Sequence, residues 1–147
     1  MCTLVICRRP GEKWPVLIAA NRDEKLNRPW LPPARHWPDR SDVYGGKDLL
    51  KGGTWLAIND FGVVAAVLNR EGSLGPKEGL RTRGELPLEA LDHADADTAV
   101  EMLSDIQKGS FRSFNLVVAD NESAYWLKSD PIAGNGRVEV FEIPRGF

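Results

Sequence analysis

The N-terminal region combines side chains that a nucleophilic enzyme needs. Cys2 follows the initiator Met1, and the apolar run Val16–Ala20 leads directly into the polar run Asn21–Glu24. If Met1 is removed, Cys2 carries both a thiol and a free α-amine, and groups of these two kinds titrate near pH 8. One residue then holds a nucleophile and its base, which indicates N-terminal nucleophile chemistry.

The strands that carry these residues are predicted to pair as a hairpin. Residues 1–7 and 16–20 have the composition of short apolar strands, and Pro10–Glu12 marks a turn between them. In an antiparallel pair centred on that turn, opposed residues have numbers that sum to about 24, give or take two, because the pairing is one-to-one. Cys2 therefore faces one of residues 21–23.

Two residues of the polar run fit roles beside the thiol. Asp23 would hold the α-ammonium or orient the amine, and Arg22 would stabilise the thiolate or bind a substrate carboxylate. Asn69 and Asn115 are predicted at strand edges, where a side-chain amide could donate to a developing oxyanion or make an ordinary strand-end hydrogen bond. The candidates for substrate contact are Asn21, Glu24, Trp55 and Arg70.

The bulk properties predict one domain over residues 1–147. The formal net charge is −2, with charges of both signs interspersed, so nothing indicates binding to nucleic acid or to an anionic membrane. The N-terminus lacks a secretory signal, and no apolar run approaches the roughly 20 residues of a membrane helix. We therefore expect a cytoplasmic protein without a membrane span, which binds a small-molecule substrate or an apolar ligand.

Metal and cofactor chemistry have little support in the sequence. His36 and His93 lie far apart and show no metal-ligand spacing. The pairs Gly45–Gly46 and Gly52–Gly53 do not fit a phosphate or dinucleotide fingerprint, so each is interpreted as a tight turn. We expect neither a metal nor a cofactor.

Turn and breaker residues predict the elements of the first half of the chain. Residues 25–41 contain four prolines, which favours a loop and excludes a helix or a central strand. The segment Asn59–Gly62 is typical of a hairpin turn between strands at Thr54–Ile58 and Val63–Leu68.

The second half is predicted to contain two helices and three strands. Thr82 and Glu85 have the spacing of a capping box for the first helix, and Asp95 or Asp97 can cap the second. The second helix would bury one face and end before Gly109. Strands are predicted at Ser113–Ala119, Ser123–Lys128 and Arg137–Ile143.

Eight short segments, spread in order over nearly the whole chain, form a specific combination. They are Met1–Cys2, Ala19–Glu24, Arg28–Pro29, Gly52–Leu56, Asn69, Arg83–Leu86, Ser113–Leu116 and Ala119–Asp120. Together they resemble the NRDE family, which is also called the transport and Golgi organisation protein 2 family.

The resemblance implies an α+β fold similar to that of N-terminal nucleophile (Ntn) hydrolases, an αββα sandwich of two antiparallel sheets between helical layers. It also implies that Cys2 is the nucleophile of an amidohydrolase that cleaves linear, non-peptide amides. Arg22 and Asp23 would match the pair that follows the nucleophile in such enzymes, and Asn69, or else Asn115, the oxyanion asparagine. Typical members extend beyond Phe147, so we expect this chain to be the N-terminal portion of a longer pattern.

Two other functions remain open from the sequence. The same cleft could carry haem or a lipid-like ligand without catalysis, a hypothesis motivated by Trp30 and Trp37 and by the trafficking links of the family. The chain could also be an interaction module that keeps the fold alone.

Overall fold

A computed structural model describes residues 2–73, 75, 77–107, 109–130 and 137–146, and in them it has nine strands and two α-helices. Two strands, β1 (Thr3–Arg8) and β2 (Val16–Asn21), form a small antiparallel sheet. The others form a large antiparallel sheet in the order β3 to β9. The protein therefore has an α+β fold, as predicted.

The strands of the large sheet follow one another in sequence order, each beside its predecessor. Their bounds are Trp30–Ala34 (β3), Tyr44–Asp48 (β4), Leu56–Ile58 (β5), Val64–Asn69 (β6), Phe114–Ala119 (β7), Ala124–Ser129 (β8) and Val138–Glu142 (β9). The three strands predicted in the second half are confirmed. The predicted connection between the last two of these strands includes residues 131–136, which lie outside the described residues.

The small sheet has the predicted register. Thr3 pairs with Asn21 and Leu4 with Ala20, so the residue numbers sum to 24 along the whole hairpin. Continuing that register by one residue places Cys2 opposite Arg22. The hairpin therefore brings the thiol-bearing residue to the polar run.

The small sheet is anchored to the rest of the fold at the end far from Cys2. Arg8 exchanges two backbone hydrogen bonds of 2.8 Å with Gly146. Its buried guanidinium donates to the carbonyl oxygens of Ile143 (2.6 Å) and Glu122 (2.8 Å). These bonds tie β1 to the β7–β8 turn and to the segment after β9.

Residues 30–34 form a strand, so the predicted loop is wrong there. β3 is the edge strand of the large sheet and contains Pro32 and Pro33. An edge position tolerates proline, and the pairing of β3 with β4 shifts register between Leu31 and Ala34, where both prolines lie. The exclusion of a central strand holds, and a 3-10 helix follows at Pro38–Arg40.

The first glycine pair lies in a strand rather than in a turn. β4 contains Gly45 and Gly46, where a Cβ atom would lie 2.4 Å from the Cβ of Ala57 and 2.4 Å from the Trp55 ring, respectively. These glycines therefore permit close packing across strands, which local sequence does not reveal. The second pair does follow a turn, with Gly52 at φ +77°.

The two helices are α1 (Glu85–Ala90) and α2 (Ala96–Ser104), and both pack on the large sheet. Asp95 caps α2 by accepting from the backbone N of Thr98 at 2.7 Å, as predicted. The capping box of α1 is wrong: Gly84 is the N-cap and no side chain caps it. Gly84 is fixed instead by its carbonyl, which accepts from the Thr54 backbone N at 3.0 Å, so the helix begins later than the box requires.

The hydrophobic core lies between the helices and one face of the large sheet. Its largest fully buried side chains include Leu86 and Leu91 near α1 and Phe114, Leu116 and Leu127 on the sheet. Strand residues alternate between the two faces of a sheet. The β6 residues that pair with Phe114 and Leu116 therefore face the helices, and the β6 residues next to them in sequence face the opposite side.

Asn59 joins the β5–β6 turn to the end of α1. This buried side chain donates to the carbonyl oxygens of Leu91 (3.0 Å) and His93 (2.8 Å). Its oxygen accepts from the backbone N of Phe61 (3.1 Å) and of Val63 (2.9 Å). The amide thus satisfies two donors and two acceptors that are remote from each other in sequence.

Asn59→Asp is expected to lower the free energy of unfolding by about 3 kcal/mol, because a carboxylate would face two carbonyl oxygens and lose both donors. Urea denaturation followed by tryptophan fluorescence measures the change. Asn121→Asp, in an exposed turn, is the control and should change the value by less than about 0.5 kcal/mol. Equal values for the two variants would contradict the proposed role of Asn59.

Candidate functional site

A cavity of about 280 Å³ lies where the small sheet meets the large sheet. Its wall is built from the polar run after β2, the β4–β5 connection, the end of β6 and the segment that leads into α1. The residues that matter below are Cys2, Arg22, Asp23, Glu24, Arg28, Asp48, Trp55, Asn69, Arg83, Gly84 and Arg112. Most of the predicted site residues therefore share one cavity.

Cys2 is half-buried in the cavity wall and is held by the backbone of the facing strand. Its Sγ accepts a hydrogen bond from the backbone N of Asp23 at 3.3 Å and lies 3.8 Å from the Asp23 carbonyl oxygen. Beside it, the backbone N of Thr3 donates to Oδ1 of Asn21 at 2.6 Å. The backbone of the facing strand therefore fixes the position of the sulfur.

Arg22 lines the cavity and is held in place by one aromatic and one acidic side chain. Its guanidinium carbon is 4.6 Å from the centre of the Trp55 ring, and its Nη2 is 3.6 Å from Oδ2 of Asp48. The edge of Trp30 packs on Trp55 with 5.8 Å between ring centroids. The cation–π contact and the ion pair together fix the position of this arginine.

Asp48 is the acidic centre of this part of the wall. Its Oδ2 accepts from both Nε and Nη2 of Arg28 at 2.6 Å, and its Oδ1 accepts from the backbone N of Leu50 at 2.8 Å. Arg28 also contacts Glu24 at 3.2 Å. Asp48 therefore links β4 to Arg22 and to the segment that follows the polar run.

Arg83 reaches the cavity because two backbone segments approach closely. A Cβ atom on Gly53 would lie 2.5 Å from the carbonyl carbon of Gly84. The Arg83 Nη1 donates to Oγ of Ser73 at 2.8 Å and to the carbonyl oxygen of Ser113 at 2.9 Å. Burial, together with the nearby positive charge of Arg112, lowers the pKa of Arg83 to about 10, which leaves it charged at neutral pH.

The two candidate oxyanion asparagines are in different places. Asn69 lines the cavity with Cys2. Asn115 pairs with Leu68, the residue before Asn69, so alternation directs it to the opposite face of the sheet. Its Oδ1 accepts from Arg70 Nη1 and Trp126 Nε1, both at 3.1 Å.

The four residues predicted to contact substrate also lie in different places. Glu24 and Trp55 line the cavity, and Asn21 lines a small adjoining cleft. Arg70 bonds to Asn115 and lies 3.7 Å from Asp130, outside the cavity lining. The sequence reasoning did not select Arg28, Asp48 or Arg83 as site residues, although both arginines stand in segments that carry the family resemblance.

The sequence pattern of one family covers almost the whole chain. The match is to "Transport and Golgi organisation 2" and extends over residues 1–140. The chain belongs to this family. The residues that form the cavity wall all lie within the matched range.

Curated relatives in the Transport and Golgi organisation 2 family agree with this assignment. The chain is 35% identical to the human "Transport and Golgi organization protein 2 homolog" over 128 residues, 79% of this chain and 43% of that protein. It is 35% identical to the cattle homolog over 120 residues, 76% of this chain and 42% of that protein. The chain thus spans less than half the length of these relatives. No helix in the described part of the chain is long and apolar enough to cross a membrane.

Replacing Asp48 by Asn is expected to lower the free energy of unfolding by about 3 kcal/mol, because two largely buried arginines lose their shared countercharge. Chemical denaturation measures the change. The control is Asp60→Asn, whose ion pair with Arg35 is exposed and should contribute less than about 1 kcal/mol. If Asp48→Asn lowers the free energy of unfolding no more than Asp60→Asn does, the role of Asp48 as the shared partner of two arginines is contradicted.

The two cysteines should differ in reactivity in the folded protein. Cys2 lines the cavity, whereas Cys7 is 2% exposed. Iodoacetamide is expected to modify Cys2 in native protein and to modify Cys7 only after unfolding in urea. Peptide mass spectrometry locates the label, and early native labelling of Cys7 would argue against this placement.

Proposed function

We propose that this chain supplies the nucleophile of a cysteine N-terminal nucleophile amidohydrolase that cleaves linear, non-peptide amides. The observation that carries the proposal is the position of Cys2 Sγ in the wall of the cavity, 3.3 Å from the backbone N of Asp23. A thiol with an amide N–H beside it and space for a ligand in front of it has the surroundings that acyl transfer requires.

The reaction would begin after removal of Met1. The free α-amine of Cys2 takes the thiol proton, and the thiolate attacks the amide carbonyl carbon to form a tetrahedral intermediate. The side-chain amide of Asn69, which lines the cavity, is the group we assign to the developing oxyanion. Arg22, held by Trp55 and Asp48, would add positive charge to this side of the cavity.

Two bond cleavages complete the cycle. The C–N bond breaks as the Cys2 ammonium gives its proton to the departing amine, leaving a thioester on Sγ. The α-amine of Cys2 then takes a proton from water. The hydroxide formed in this way attacks the thioester carbonyl carbon, and the C–S bond breaks. The acyl group leaves as a carboxylic acid and the thiol is regenerated with its proton.

The layers around the large sheet support the finer assignment to an Ntn-hydrolase-like sandwich. The helices pack on one face. On the other side, Leu4 and Ala20 of the small sheet share a narrow cleft with Ala66 and Leu68 of β6. A helix layer, a sheet and the beginning of a second sheet thus follow in order, which fits the N-terminal portion of an αββα arrangement.

The charged cavity wall favours the hydrolase over a carrier of haem or a lipid-like ligand. An apolar ligand there would remove charged groups of the wall from water and offer them no polar partner, which is costly. Neither of the tryptophans that motivated the carrier is part of the cavity lining: Trp30 packs on Trp55, and Trp37 is buried and donates to the Gly52 carbonyl oxygen at 2.8 Å.

An activated acyl ester tests the nucleophile directly. Incubation with p-nitrophenyl hexanoate is expected to add one hexanoyl group to an N-terminal peptide that begins with Cys2, because the ester acylates the thiolate faster than water removes the product. Intact-mass and peptide mass spectrometry measure the adduct and the loss of Met1.

Variants of the two cysteines separate the mechanism from general thiol chemistry. Cys2→Ala should abolish the adduct, and Cys7→Ala, the matched control, should leave it unchanged. A retained Met1 in protein from the native host, or an adduct that survives Cys2→Ala, would refute the mechanism.

A further inference from the structure

The cavity next to Cys2 is positively charged although the whole chain is not. Among the described residues that line it, seven are basic and four are acidic. The chain as a whole has a formal net charge of −2. The excess of positive charge is therefore concentrated at this site. The basic residues are Arg22, Arg28, Lys51, Lys77, Arg81, Arg83 and Arg112.

Three of the four acidic side chains of the wall contact particular arginines. Arg28 binds both Asp48 and Glu24, at 2.6 Å and 3.2 Å. Arg81 Nε donates to Glu85 at 2.8 Å. These three carboxylates are therefore held by basic side chains of the same wall.

Arg83 differs from these arginines in its partners. Its Nη1 donates to two neutral oxygens, those of Ser73 and Ser113. Its Nε and Nη2 make no hydrogen bond to any residue that the structure describes. These two nitrogens lie on the same edge of the guanidinium and form the fork that binds a carboxylate with two parallel hydrogen bonds.

The surroundings of Arg83 stabilise its positive charge only weakly. Burial and the neighbouring Arg112 lower its pKa to about 10, and the nearby Cys2 and Glu24 offset only part of that shift. A carboxylate bound at its Nε–Nη2 edge would stabilise this charge.

We propose that the Nε–Nη2 edge of Arg83 binds a carboxylate of the substrate, so that the natural substrates are amides carrying a carboxylate, such as N-acyl amino acids. That the substrate is an amide rests on the proposed function. That it carries a carboxylate rests on the basic side chains of the cavity wall. Arg83 and Cys2 line the same cavity, so one ligand can contact both.

A binding experiment without turnover tests the anion site. The 147-residue chain with Cys2→Ala is titrated by calorimetry with N-hexanoylglycine and with its neutral analogue N-hexanoylglycinamide. The carboxylate is expected to bind at least about tenfold more tightly, since a charge-assisted fork is formed with Arg83. The preference should fall as NaCl is raised.

Two arginine variants in the same background locate the effect. Arg83→Gln is expected to reduce the preference to within about twofold. Arg35→Gln removes the same charge from an exposed ion pair with Asp60, outside the cavity lining, and should leave the preference unchanged. If Arg83→Gln does not fold, Arg83→Lys takes its place: lysine keeps the charge but lacks the planar fork, so the preference should still fall.

The outcomes distinguish this inference from the proposed hydrolase. Equal binding of the two ligands, or equal loss of preference in the two arginine variants, overturns the carboxylate site whether or not Cys2 is acylated. Preferential carboxylate binding without acylation of Cys2 supports the site and refutes the hydrolase.

Discussion

The position of Cys2 depends on how the small sheet is attached to the large one. A two-stranded hairpin is at best marginally stable on its own, so its register alone cannot fix the thiol in a cavity. Arg8 anchors one end through bonds to the segment after β9 and to the β7–β8 turn. At the other end, Arg22 contacts Asp48 of β4 and Trp55, the residue before β5. The cavity lies at this second attachment.

Close backbone approaches shape the opposite wall. Glycine at positions 45, 46 and 53 leaves room where a Cβ atom would overlap Ala57, Trp55 or Gly84. The Gly53–Gly84 contact also sets the start of α1 and thereby the direction in which Arg83 leaves the chain. The absence of side-chain atoms at Gly53 and Gly84 therefore has a structural consequence, because it lets the Arg83 segment line the same cavity as Cys2.

The charges of the cavity connect its two proposed roles. Positive groups near a thiol favour the thiolate, stabilise an oxyanion and attract an anionic substrate. The three effects are physically separable, since the first depends on atoms close to Sγ, whereas attraction of the substrate depends on the whole wall. In this family member, backbone and aromatic contacts hold the sulfur side, and the half-buried Arg83 lies on another side of the cavity. The chain spans less than half the length of these curated relatives.

The sequence alone determined what depends on short-range patterns. Alternation and turn residues predicted the hairpins and the register that places Cys2 opposite Arg22, and Asp95 was identified as a cap, because these features involve neighbours along the chain. Packing decided the rest. Residues 30–34 and 44–48 form strands despite their proline and glycine content. The prolines are tolerated at the edge of the sheet, and the glycines permit close packing against neighbouring residues. Arg28, Asp48 and Arg83 line the same cavity as Cys2 although they are remote in sequence, whereas Asn115 lies on the other face of the sheet from Asn69 and outside the cavity lining. Such proximity arises from the packing of separate elements, and no local pattern encodes it.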